Sequence, residues 1–299
     1  MYMISSLYAQ PIRWSLRLRF IGLFLIAGFC WFIEQAAEEN ISLAIVIIAG
    51  LSHCVFAYLY RFRARGSEPI QYGVALAALA LLVSLTYILP AEFFVGVVAV
   101  YFVVHFLLDE AFLSDEKISS YSWLRIAPIA VLYWFYYACY LTAIDMVWAQ
   151  IAAYFSVVLF AAWLIFVMYG RRTWGLIDWH YLSIYILSFF FVMAGVSAYG
   201  KALFDPLNFL VISHVANWYI HQGIKIGAKG RSILPFLREV FWVNVAIAFL
   251  FIAYYSLRGT GLPVIEFLGF FFQPTFFYIW IMLHFISSVR MSDFRSSAA

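Results

Sequence analysis

The chain has 299 residues, 66% of them hydrophobic and only 11% charged, whereas soluble domains carry roughly one quarter charged residues. A net charge of +3 is too slight to recruit nucleic acid. The three cysteines, Cys30, Cys54 and Cys139, sit within apolar runs and form no C-x-x-C pair, so neither a disulfide framework nor a thiolate zinc site is indicated.

The composition predicts an all-α polytopic transmembrane bundle, a single transmembrane domain over residues 1–299 in a bacterial inner membrane. A hydrocarbon core about 30 Å thick needs about 20 helical residues, and ten apolar runs meet that length. Residues 1–17 have no short apolar run ahead of a small-residue cleavage site, so they read as a cytoplasmic segment. The predicted spans are 18–36, 41–60, 72–89, 93–113, 123–144, 147–169, 180–199, 206–221, 240–257 and 264–289. Only "PAE" separates the third from the fourth, so a merged or re-entrant pair is the alternative there. Residues 222–239, with Gly223, Gly227, Gly230 and Pro235, predict a cytoplasmic loop, and 290–299 a cytoplasmic tail. With both ends inside, sixteen of the 18 basic residues fall on inner segments, leaving Lys201 and Arg258 outside.

This topology gives each histidine a depth. His53, His105, His214 and His284 fall on the second, fourth, eighth and tenth spans, each roughly 8 to 12 Å below the cytoplasmic boundary by helix rise. Four imidazoles at one depth on four helices predict a metal site inside the bundle. In "HFLLDE", His105 and Asp109 stand at i and i+4 on one face with Glu110 alongside, either carboxylate serving as ligand or orienter. On the eighth span, His214, Asn217 and His221 share a polar face, which in lipid marks function. His221 lies two turns from His214, about 10 Å, too far for both to grip one ion. It is the ligand of a second ion or an outer partner. His180, in "LIDWHYL", reads as interfacial.

A donor set of histidines and carboxylates without cysteine suits iron, zinc or copper. Pro274 predicts a kink in the tenth span beside Gln273, which falls on the same predicted face as His284. Trp218, Tyr219, Gln273, Phe277 and Trp280 are the candidate lining of a slot for a long apolar substrate.

The histidine segments "LSHCVFA", "VHFLLDE", "ISHVANWYIH" and "MLHFI" resemble, in order and gross spacing, those of the Brp/Blh family of bacterial multispan proteins. That resemblance implies cleavage of β-carotene to retinal with dioxygen at histidine-bound iron. No proline precedes His53 or His284, and His214 and His221 are seven apart rather than about four. The resemblance therefore implies an Fe2+ membrane oxygenase, with one or two ions, more strongly than it implies carotene as substrate. The alternatives are a haem b electron-transfer protein, which needs ligands at two depths to carry electrons across, a zinc site, and a metal or proton transporter with ionisable groups through both leaflets.

Overall fold

The computed structural model describes residues 17–33, 39–65, 69–88, 104–105, 109, 146–169 and 206–288. Among them the regular elements are eight helices and no strands: α1 (17–33), α2 (Glu39–Arg65), α3 (Pro69–Ile88), α4 (Met146–Tyr169), α5 (Pro206–Ala228), α6 (Leu234–Leu257), α7 (Pro263–Phe272) and α8 (Pro274–Ser288). The predicted fifth and seventh spans lie outside the described residues, as does the fourth apart from Val104, His105 and Asp109.

The expectation of ten spans is overturned. Among the described residues one helix, α6, is long and apolar enough to cross a membrane, or two if the bent α7–α8 pair is counted as one span. The apolar stretches Ala44–Leu59, Leu76–Ile88 and Tyr154–Phe166 are only 10–17 residues long, short of the roughly 20 that a crossing needs. Hydropathy also cannot separate residues turned toward lipid from residues turned toward other helices. Gly50, Leu51, Ser52, His53 and Cys54 are all buried, so this part of α2 is enclosed on every side, as helices in a protein core are. Arg19, assigned to a cytoplasmic flank, instead lies in α1 and is 1% exposed.

Contacts divide the chain into two units. The first comprises Met1–Ser42, Phe106–Ser232 and Ser296–Ala299. In it α5 buries Phe209, Val211 and Val215. The helix continues to Ala228 through residues expected to be loop, so only Lys229–Ile233 separate it from the next helix. Its end is a left-handed cap: Gly230 has φ 70°, its N–H bonds the Gly227 carbonyl at 2.9 Å, and the Arg231 N–H bonds that of Ile226 at 3.2 Å. These two bonds satisfy carbonyls that a helix end leaves open, and glycine alone takes that φ without cost.

The second unit comprises Leu43–His105 and Ile233–Arg295. Its core joins α3 and α8 through Leu82, Ile279, Met282 and Leu283. Phe236 of α6 meets Phe56 of α2 edge to face, centroids 6.5 Å apart. α7 packs on α6 at Gly269, where a Cβ would come within 3.3 Å of the Tyr254 ring, so that a side chain there would require the ring to shift by a few tenths of an ångström.

The predicted kink is present as a 56° bend between α7 and α8. Pro274 has no N–H, so the Phe270 carbonyl four residues back loses its helical donor. The Trp280 indole N–H donates to that carbonyl at 2.9 Å, and the Tyr255 hydroxyl lies 3.4 Å from the Phe272 carbonyl. The break places Gln273 at the cap of α7, exposed, and not on one continuous helix with His284 as the sequence implied.

Candidate metal centre

The site is assembled from imidazoles placed by helices with buried faces. In the first unit, α5 carries His214, 6% exposed, between buried Ser213 and Val215. Its Nε2 stands 3.4 Å from Asp109 Oδ2. An N–H···O hydrogen bond prefers about 2.9–3.0 Å. Two ligands on a tetrahedral ion with bonds of about 2.0–2.1 Å stand roughly 3.3–3.4 Å apart. The observed spacing is close to that of two ligands of one ion.

In the second unit, His53, His105 and His284 are each under 5% exposed. The His284 ring meets both others edge to face, with centroids 4.9 Å from His53 and 5.0 Å from His105. Three imidazoles at this spacing cannot all be charged without mutual repulsion, whereas neutral rings are metal ligands.

His53, His105, Asp109 and His214 form a group that could hold a metal ion: each offers one ligand atom, and all of these atoms lie within 4.8 Å of one another. The donors fit an ion in three further respects. They number four, they are all nitrogen or carboxylate oxygen, and the one carboxylate offsets part of a divalent charge that burial would otherwise make expensive. The compactness of the group suits a bare ion better than haem, whose macrocycle has to pass between its axial ligands.

The sequence-predicted residues are placed as follows. His53, His105 and His214 join the group, and Asp109, expected as ligand or orienter, joins them as a candidate ligand. His284 lies outside the four and packs on two of them. His221 is buried at 2% exposure on α5 but is not a member. Asn217 is half-buried one turn from His214. Glu110 and His180 lie outside the described residues.

Of the proposed substrate slot, Trp218 and Tyr219 are half-buried with their rings edge to face at 5.7 Å, and Phe277 is buried. The Trp280 ring stacks on Phe271 at 5.2 Å and 9°. Sequence reasoning missed this structural role of Trp280, although an indole six residues beyond a proline that orphans a carbonyl was a usable signal.

Comparison with family models, curated proteins and solved structures finds no match for this chain.

Proposed function

We propose that this chain is a metal-dependent oxygenase acting on a long apolar substrate in or at a membrane, with iron as the metal. The observation that carries the reading is the group of three buried histidines and one half-buried aspartate, with its ligand atoms within 4.8 Å of one another. His53, His105, Asp109 and His214 bind the ion, and His284 holds the His53 and His105 rings in place by packing against both. Bound iron would supply the one-electron chemistry that dioxygen needs to react with an apolar carbon framework. The chain's part is to bind, to orient and to exclude water, and the burial of the three histidines serves the last of these.

Two further features support an apolar substrate. The helix α6, about 36 Å long by its rise, has a mean hydropathy of 2.0 and buries only 11% of its central window, so it suits a bilayer. Of the five histidines carrying the Brp/Blh resemblance, His53, His105 and His214 belong to the metal group and His221 and His284 do not, and that partial overlap makes β-carotene the first compound to try and an isoprenoid or fatty-acyl lipid the second. The test is oxygen uptake by iron-loaded protein in lipid with each compound. Uptake matched to substrate loss, absent in His53→Ala, is expected. No uptake with any apolar compound, by protein shown to hold iron, sinks the oxygenase reading.

A further inference from the structure

One stripe of α6, exposed in its first half and half-buried at Asn244 and Ala248, has an order that ordinary lipid contact does not require. Leu234, Leu237, Phe241, Asn244 and Ala248 recur at alternating steps of three and four, the spacing of a helix-packing seam. Leu234, Leu237 and Phe241 are each more than half exposed. Of the side chains that α6 buries, Phe236 and Tyr254 lie about 120° round the helix from this stripe, and Phe251, next in its series, is where the stripe runs into the core. The seam residues Leu237, Phe241, Asn244 and Ala248 themselves wall a shallow groove with Val240 and Val245, and Ile48 of α2 stands at its rim.

Asn244 is the polar side chain in that lining. It sits near the middle of α6, where a bilayer would be driest. Among the described residues its hydrogen bond is from Nδ2 to the Val240 carbonyl at 2.8 Å. A carboxamide has a second amide hydrogen and an acceptor oxygen to satisfy, and leaving them in hydrocarbon is costly. Acyl chains offer neither partner. A second Asn244 offers both, because the group is its own complement: across a two-fold axis each Nδ2–H donates to the other Oδ1. Ala248, one turn further on, is small enough to let two backbones approach closely.

We propose that α6 is a homodimer interface, in which the seam Leu234–Leu237–Phe241–Asn244–Ala248 packs on the same seam of a second copy and paired Asn244 carboxamides fix its register. The inference is independent of the metal reading, since none of these residues belongs to the candidate centre. Its test is oxidative cross-linking in native membranes of Leu237→Cys, Phe241→Cys and Ala248→Cys, with the unmodified chain as baseline. The control is Phe249→Cys, exposed about 100° further round the helix. Disulfide-linked dimer is expected from the three seam positions and not from Phe249→Cys. Adding Asn244→Leu to Ala248→Cys should lower dimer yield about tenfold, whereas Asn244→Gln, which keeps both amide functions, should restore most of it. Equal cross-linking at Phe249→Cys, or full yield with Asn244→Leu, overturns the proposal and leaves lipid as the occupant of the face.

Discussion

His214 Nε2 lies 3.4 Å from Asp109 Oδ2, too long for a good hydrogen bond and right for two ligands of one ion. Variants of this pair distinguish a carboxylate that binds metal from one that orients a histidine. Outer partners of metal-bound histidines typically alter affinity by about 10 to 100-fold when removed. Asp109→Ala and His214→Ala should each exceed that range, measured by competition with a chelator of known affinity. An Asp109→Ala loss of about tenfold or less would return Asp109 to the orienting role.

His284 and His221 should separate from the four. His284 touches the rings of two candidate ligands, so His284→Ala is expected to keep stoichiometric metal with affinity lowered about 10 to 100-fold. His221, buried on α5 but outside the group, should retain wild-type affinity as His221→Asn. Complete loss of metal in His221→Asn would call for a second ion.

How much of this was legible in the sequence depends on the kind of signal. The positions of α2, α3, α4 and α6 followed from apolar runs, because backbone groups in apolar surroundings close their hydrogen bonds within a helix. The number of crossings did not follow. Hydropathy reads His53 and Cys54 in the enclosed stretch of α2 with the same scale as Phe249 on the open face of α6, and composition carries no direction. His105 and Asp109 were legible as a pair from i, i+4 spacing. The ring packing of His284 was not, because it depends on how separate helices meet. Pro274 announced the bend, but its consequence for Gln273, which leaves the helix of His284, required coordinates.

The bend gives a prediction about Trp280. Its indole N–H supplies the donor that Pro274 withholds from the Phe270 carbonyl. Trp280→Phe keeps an aromatic wall but leaves that carbonyl unsatisfied, at a cost of about 1 kcal/mol. The expected result is a lower unfolding midpoint in a chemical or thermal melt, with a smaller effect for Tyr255→Phe, whose contact is longer at 3.4 Å. A neutral Trp280→Phe would mean that the carbonyl finds another donor.

Membrane attachment is tested through α6. Its apolar outward face predicts that the protein stays with membranes after alkaline carbonate washing and is released by detergent. Replacing Phe241, Val245 and Phe249 together by Ser should shift it toward the soluble fraction. A wild-type chain recovered free of membranes would remove the support that α6 lends to an apolar substrate.

The central claim is a metal held by His53, His105, Asp109 and His214. Elemental analysis combined with an absorption spectrum of the purified protein, alongside His53→Ala, His105→Ala and His214→Ala, tests it most directly. The account predicts iron at about one ion per chain, no Soret band, and loss of most of that iron in each variant. Metal-free protein after iron-supplemented expression, or full metal content in two of the three variants, would contradict it.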